Sequence, residues 1–225
     1  MTGVVISEGS VKDYRAMEEQ HYRGRMPVGI ARVLVARAFE PREEIVGVLV
    51  VTRPVLNAAW RRVAWPGVQW EDKAHAAAFI NQHVRRIARV VVDVKRRGLG
   101  IASALVRAYL SRPLTTHTEV VAAMARVMPL FERAGMREIP AMPSRRTRVL
   151  AQRLKEAGLE PWELMDATVL TKLLRDDRAV ADAFESWARN SRHSRRVLKA
   201  GEGLVNEAMY AASQVAWPAR VYVTP

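Results

Sequence analysis

A glycine-rich turn between an apolar strand and an amphipathic helix constrains this chain more than any other feature. The strand is predicted over residues 84–94 and the helix over 99–110, where apolar residues recur at helical spacing until Pro113. The turn contains Gly98 and Gly100, which let the backbone approach a ligand without an intervening side chain. This combination predicts an anion site at the start of the helix.

The start of that helix supplies the physical reason for an anion site. Its first amides have no partner within the helix, and the positive end of the helix dipole lies there. Three consecutive cations precede the glycines and reinforce the binding of phosphate oxygens, namely Lys95, Arg96 and Arg97. A Walker loop is excluded because no Gly-Lys-Ser/Thr follows, and the dinucleotide fingerprint lacks its third glycine. The alternative is an ordinary strand-to-helix turn that carries two glycines.

The surrounding segments predict an α/β (α+β) fold with a mixed, mostly antiparallel sheet flanked by helices. A first strand is followed by a helix that Ser10 caps, a hairpin, the glycine turn and a fifth strand. In residues 53–83 the apolar residues follow neither helical nor strand periodicity, which predicts a long surface excursion. Strands are predicted over 4–6, 30–39, 44–52, 84–94, 119–123, 137–139 and 219–223.

The predicted secondary structure changes from mixed strands and helices to helices alone after Pro143. Residues 144–215 contain several helical stretches and no strand candidate, and a strand resumes near the C-terminus. Because a lone terminal strand gains little stability outside a sheet, we expect it to pair beside residues 137–139. The expected organisation is a core of residues 1–143, a helical insertion over 144–215 and a final strand within 216–225. The alternative is a separate helical domain with a frayed tail.

The composition of the 225-residue chain narrows the class of protein. With 49% hydrophobic and 26% charged residues, it resembles ordinary globular proteins, and no apolar run is long enough to span a bilayer. It has no cysteine, which excludes disulfides and thiolate metal sites, and its histidines show no metal-ligand spacing. No secretion signal is recognised, so we expect a cytoplasmic protein without a metal and without membrane contact.

The charge indicates an anionic partner. Lys and Arg number 36 against 23 Asp and Glu, a net charge of +13, and such a field attracts phosphate-rich ligands. DNA or tRNA is the partner that this charge favours. Two simpler origins of the charge stay open, because the ligand of the glycine turn can itself be a polyanion and a high-GC genome favours arginine codons.

The residues of the glycine turn resemble the acyl-CoA motif of the GNAT superfamily of N-acyltransferases. That motif reads Val-x-Pro-x-x-Arg/Gln-x-x-Gly-x-Gly/Ala, and Val94 replaces the common proline. The matching residues are Val92-Asp93-Val94-Lys95-Arg96-Arg97-Gly98-Leu99-Gly100-Ile101-Ala102. A second segment, Leu130-Phe131-Glu132-Arg133-Ala134-Gly135-Met136, resembles the family's Tyr-x-x-x-Gly-Phe helix end.

The resemblance implies a fold, a cofactor and the residues that hold it. The fourth and fifth strands are expected to splay apart, with the thioester of acetyl-CoA or another acyl-CoA between them. Many relatives have a tyrosine at the position of Phe131 that protonates the leaving thiolate, so another donor, release to solvent or different chemistry is implied here. The backbone of Val92, Asp93 and Val94 would pair with the pantetheine arm, and the amides of Arg97, Gly98, Leu99, Gly100, Ile101 and Ala102 would hold the pyrophosphate.

The segment His21-Tyr22-Arg23-Gly24-Arg25-Met26-Pro27 carries a narrower resemblance. It is similar to a stretch of the GNAT-like branch that includes phage Mom proteins, which modify adenine in DNA, and the chain also resembles acetyltransferase-like domains fused to ABC-type ATPases. His21 and Tyr22 are the predicted catalytic residues, because an imidazole can accept a proton from an amine and a phenol can donate one. Asp93 and Glu119 are other candidate bases. Alternatively, His21 caps a helix and Tyr22 fills a core.

Arginine clusters extend the hypothesis of a nucleic-acid partner. Arg61 and Arg62 lie among tryptophans that could stack on bases, namely Trp60, Trp65 and Trp70, although a charge run is usually a solvated helix face. Two further clusters are Arg145-Arg146-Arg148 and Arg192-Arg195-Arg196.

Together these observations predict acyl transfer from acetyl-CoA to a nitrogen of a large anionic acceptor such as DNA or tRNA. The first alternative is a small-molecule or protein N-acetyltransferase. The second is a non-catalytic GNAT-like protein that binds nucleic acid. A monomer and a homodimer are both compatible with the sequence.

Overall fold

The computed structural model of the chain describes residues 3–20, 26–123, 125, 128–140, 143–189 and 203–224. The chain divides into two compact units. The first comprises Met1–Ala141 together with Arg220–Pro225, and the second comprises Met142–Ala219. The first unit is therefore built from two stretches of sequence that the whole of the second unit separates.

A seven-stranded sheet forms the centre of the first unit in the described part of the chain. Its strands are β1 (Val4–Glu8), β2 (Ile30–Ala38), β3 (Glu44–Thr52), β4 (Val84–Val92), β5 (His117–Ala122), β6 (Arg137–Ile139) and β7 (Arg220–Val223). They lie in the order β1-β2-β3-β4-β5-β7-β6. All neighbours are antiparallel except β4 and β5, which are parallel. This mixed, mostly antiparallel sheet flanked by helices confirms the predicted fold class.

The last strand lies inside the sheet. Its residue Val221 pairs with Ile139 of β6 on one side and with Val121 of β5 on the other. The predicted pairing beside residues 137–139 is therefore confirmed, and the pairing with β5 is an additional finding. Both edges of β7 are thus paired, and Val221 and Val223 are buried in the apolar cluster that contains Trp65 on one face of the sheet.

Helices cover both faces of the sheet. Those of the first unit are α1 (Val11–Met17), α2 (Arg61–Ala64), α3 (Lys73–His83), α4 (Ile101–Ser111) and α5 (Leu130–Arg133). On one face, α4 and α5 pack on a core that includes Leu49 and Ile87. On the other face, α1 packs on Val33 and Val48, while the segment with α2 and α3 packs on the far end of the sheet. The segment predicted as a surface excursion, residues 53–83, is largely exposed but contains two helices whose apolar residues pack on the sheet.

The second unit is helical in its described part. Its helices are α6 (Arg145–Glu156), α7 (Ala167–Asp176), α8 (Arg178–Arg189) and α9 (Leu204–Ala216). They enclose their own apolar core, in which Leu150, Phe184, Trp187 and Ala211 are buried. Helical structure over this part of residues 144–215 agrees with the sequence, whereas its standing as an insertion that depends on the core stays a prediction. No helix in the described ranges has the length and apolar character needed to cross a bilayer.

Candidate active site

The seam between β4 and β5 is closed at one end and open at the other. The parallel ladder joins Val84 to His117 and ends where Ile87 meets Val120. On its other edge, β4 continues to pair with β3 as far as Val92, which lies opposite Gly47. The stretch of β4 beyond Ile87 therefore lies outside the ladder with β5.

A β-bulge explains why the seam opens at this level. Ile87 lies opposite Val51, but the next pair joins Arg89 to Val50, so Ala88 has no partner on β3. A bulge bends its strand and increases the local twist. Ala88 directly follows Ile87, the last residue paired with β5, so the bulge coincides with the end of the β4–β5 ladder. The family resemblance implies that the two strands splay apart from such a point.

A short 3₁₀ turn follows β4 and is fixed by polar side chains. The Asp93 carboxylate accepts a hydrogen bond from the Lys95 amide at 2.8 Å. The Gln20 side chain donates to Asp93 at 3.2 Å and accepts from the Val94 amide at 3.2 Å. The Lys95 amide and the Gln20 donor hold the pKa of Asp93 below its usual value, despite the opposing effect of burial. A lowered pKa makes Asp93 a poor general base, and its contacts identify it as a structural residue of the turn.

The glycines after this turn adopt conformations that L-residues rarely take. Gly98 has φ of +81° and Gly100 has φ of +78°, and Gly100 is the residue from which α4 starts. Among the described residues, no side chain caps the first amides of α4. By contrast, side chains cap several helices elsewhere in the chain, namely Ser10 for α1, Asp72 for α3, Ser144 for α6 and Asp166 for α7. The exposed start of α4 therefore has amides free to receive an acceptor from outside the helix.

Close packing on β3 fixes the position of α4. Ile101 and Leu105 are buried, and a Cβ atom added to Gly47 would lie 3.1 Å from Ile101 Cγ2 and 3.2 Å from Leu105 Cδ1. Sequence reasoning missed Gly47 as a positioning residue. The available signal was an isolated glycine within a β-branched strand, a pattern that indicates a bulge or a close approach.

The three cations before the glycines differ in their contacts. Arg96 is held by the Glu44 carboxylate at 2.7 Å. Lys95 and Arg97 are exposed, and Arg97 Nε lies 3.5 Å from the Val92 carbonyl oxygen. Two of the three predicted cations are thus positioned at the surface of the turn, where they can meet an anion.

At the closed end of the seam, Glu119 is fully buried in an ion pair. Arg61 donates to both of its carboxylate oxygens, at 2.8 and 2.9 Å, and neither side chain is exposed. Arg86 Nε lies 3.9 Å from the same carboxylate. Glu119 is therefore committed to holding α2 against β5, which argues against its prediction as a base.

The proposed stacking surface at residues 60–70 is also corrected. Trp65 is 8% exposed and belongs, with Trp60 and Trp70, to an apolar cluster between the α2–α3 segment and the sheet. The Trp70 indole donates to the Trp65 carbonyl at 2.9 Å. The physical reason is that three large rings gain more from burial than from exposure, and Arg61 can enter this cluster because Glu119 neutralises it.

Phe131 packs inside the core on the side of α4. It is 7% exposed and its ring centroid lies 5.5 Å from that of Tyr222. The Tyr222 hydroxyl donates to Glu132 at 3.1 Å, and burial raises its pKa above the usual value. The position that resembles the family's tyrosine therefore holds a buried apolar ring, and its tyrosine neighbour is itself fully buried.

The predicted catalytic pair, His21 and Tyr22, lies outside the described residues. Gln20, the residue before His21, contacts the turn after β4 through Asp93 and Val94. Nothing in the sequence signalled this role of Gln20, because a single glutamine at a helix end has no characteristic pattern. No group of three His, Asp or Glu residues suited to a metal ion occurs in the part of the chain that the structure describes.

Comparison with known proteins shows a likeness in structure and none in sequence. No protein-family model and no curated protein matches the chain. The chain is similar to a solved structure described as histone acetyltransferase HPA2 and related acetyltransferase from Corynebacterium glutamicum, with a TM-score of 0.41 and 17% sequence identity. The alignment covers 64% of this chain and 90% of that one.

Proposed function

We propose that this chain is an acyl-CoA-dependent N-acyltransferase with acetyl-CoA as its donor. The observation that supports this most is the continuous path from the open edge of β4, beyond Ile87, to the uncapped start of α4 at Gly100. An extended strand edge followed by free amides matches a ligand with an amide-bearing arm and a pyrophosphate. The resemblance of this turn to the GNAT motif points to the same ligand.

The residues present fit such a cofactor. The backbone of Val92, Asp93 and Val94 would pair with the arm, and a Cβ atom at Gly98 would meet no other atom within 4 Å, so the turn has an open side. The amides that would hold the pyrophosphate belong to Arg97, Gly98, Leu99, Gly100, Ile101 and Ala102. Bound acetyl-CoA would supply an activated acyl carbon, and the protein would position it and move protons.

His21 and Tyr22 are our candidates for that proton transfer. The candidates within the described residues are less suitable, since Asp93 has a lowered pKa and Glu119 is held by Arg61. The contact of Gln20 with the turn after β4 supports a role for the next residue in sequence, His21. In this assignment, His21 accepts the proton of the acceptor nitrogen and Tyr22 protonates the leaving sulfur.

For the acceptor we propose a nitrogen of DNA or tRNA. The net charge of +13 and the resemblance to the Mom-like branch support a large anionic acceptor. Buried Phe131, in place of the family's tyrosine, favours a second candidate: a GNAT-like protein that binds nucleic acid without catalysis.

One experiment separates these candidates. The protein is incubated with acetyl-CoA and a mixture of DNA and tRNA, which is then digested to nucleosides for mass spectrometry. A nucleoside heavier by one acetyl group, formed only with active protein, supports the proposal. If no nucleoside is modified but small amines or proteins are acetylated in parallel reactions, the acceptor is not a nucleic acid and the first part of the proposal is kept. No transfer at all, with nucleic-acid binding retained, would favour the non-catalytic candidate.

A further inference from the structure

An open groove of about 770 Å³ lies between α6 and α8 of the second unit. Its floor includes Leu150 and Trp187, which are buried, and its α8 wall includes the small residues Ala179 and Ala183. The α6 wall carries exposed Val149. The groove is therefore open to solvent and has an apolar floor.

Arginines dominate the charge of this groove. Arg145, Arg146 and Arg153 line it from α6, and Arg153 also pairs with Glu156 at 3.3 Å on the exposed side of that helix. The carboxylate among the lining residues, Asp182, pairs with Arg178 at 2.8 Å. No acidic residue occupies the first turn of α6, although acidic residues are the ones that stabilise a helix start. Arg145 and its neighbours therefore repel both one another and the helix dipole, and a bound anion would relieve this repulsion.

Arg146 is the most constrained cation of the groove. Its guanidinium lies 4.1 Å from the centroid of the Trp187 ring and donates to the Trp187 carbonyl at 3.4 Å. Burial lowers its pKa below the usual value, against the smaller opposing effects of Tyr210 and Glu207. A partly desolvated, fixed cation binds an anion more strongly than a mobile cation in water does.

We propose that the groove between α6 and α8 binds a single strand of nucleic acid through its phosphates. Arg145 and Arg153 are eight residues apart on one helix, a separation of about 12 Å along its axis, which suits a ligand with repeated charges and exceeds a single phosphate ion. The concave shape and apolar floor suit a strand with exposed bases better than a rigid duplex. This inference rests on the nucleic-acid partner of the proposed function but does not depend on its cofactor.

The test measures the fluorescence anisotropy of a labelled 12-nucleotide single strand as salt is varied. The double variant Arg145→Glu/Arg153→Glu should bind at least ten-fold more weakly than the parent. Its slope of log affinity against log salt should fall by about 1.4, since each lost phosphate contact contributes about 0.7 for single strands. Both residues are exposed, so the fold should survive. The neutral variant Arg145→Gln/Arg153→Gln should show a smaller loss in the same direction.

A matched control removes the same charge elsewhere in the unit. Lys172 and Arg175 lie on α7 and do not line the groove, so Lys172→Glu/Arg175→Glu should keep affinity within about two-fold. Equal losses in both double variants, no binding by the parent, or tighter binding of a duplex or of anionic lipid vesicles would each overturn the proposal. A variant of the glycine turn, Gly100→Asp, is expected to lose CoA but to bind the strand normally, so failure of this groove can be distinguished from failure of the cofactor site.

Discussion

The two ends of the β4–β5 seam use the same pair of strands for opposite purposes. At the closed end, a buried ion pair and an aromatic cluster fill the space beside the ladder, and the backbone groups pair with each other. At the open end, beyond the bulge at Ala88, the strands separate and the chain turns through two glycines into an uncapped helix. Stability thus depends on one stretch of the seam and the proposed cofactor binding on the other, so variants at the two ends should fail in different ways.

The largest effect is expected at the closed end. Glu119→Ala leaves Arg61 buried without its partner, and such a loss typically costs about 3–5 kcal/mol of unfolding free energy. Arg62→Ala is the matched control, because Arg62 pairs with Glu71 at the exposed surface, where solvent screens the pair and its loss should change stability little. Urea denaturation measures both. Similar losses for the two variants would contradict the assignment of Glu119 to structure.

A smaller effect is expected where β3 supports the open end. Gly47→Val would press on Ile101 and Leu105, and overpacking typically costs about 1–3 kcal/mol. Because the start of α4 must shift, CoA affinity should fall as well. Gly67→Val is the control, since a Cβ there meets nothing within 4 Å. CoA affinity is measured by calorimetry. If Gly47→Val loses stability but binds CoA as tightly as the parent, Gly47 does not position the cofactor site.

Removing the Gln20 side-chain amide, which bonds to the turn after β4, should have a smaller effect still. Gln20→Ala deletes the hydrogen bonds to Asp93 and Val94, for which we expect a loss of about 0.5–1.5 kcal/mol. CoA affinity should decrease several-fold because the turn is less ordered. Gln152→Ala, which removes an exposed hydrogen bond on α6, should change neither quantity. CoA affinity is measured by calorimetry. Equal affinities for Gln20→Ala and Gln152→Ala would show that Gln20 does not contribute to the cofactor site.

The smallest effect concerns pH at the closed end. Burial lowers the pKa of His117 from its ordinary value of 6.5, and the nearby His83 adds to this. The unfolded chain then binds a proton more readily than the folded one, so stability should be complete above pH 6.5 and decline as pH falls from there towards the folded pKa. His117→Phe, which keeps a ring against Trp65, should flatten this decline, whereas the exposed His75→Phe should not. Melting temperatures at about pH 7.5 and about pH 5.5 test this, and equal slopes for the two variants would contradict it.

The sequence predicted the local elements of the open end and missed the contacts that hold them. Alternation and turn residues located β3, β6 and β7 close to their observed bounds, and glycine spacing located the start of α4 within two residues. The bulge at Ala88 and the bridge from Gln20 depend on residues distant in sequence, which no local pattern encodes. The same limit explains the error at Arg61: a charge beside tryptophans looks like a surface until its partner, Glu119, is known to lie on a strand of the sheet beneath it.

The most direct test of the cofactor site substitutes the glycine at the start of α4. Gly100→Asp places a carboxylate beside the amides that would hold the pyrophosphate. Because residue 100 has a left-handed backbone conformation, any side chain there also adds a strain of roughly 1–2 kcal/mol. Gly158→Asp is the matched control, because Gly158 has φ of +69° and no neighbour within 4 Å of an added Cβ. Titration calorimetry with CoA should show binding by the parent and by Gly158→Asp, and none by folded Gly100→Asp. Equal CoA binding by all three proteins would contradict the assignment of the open seam and its glycine turn to the cofactor.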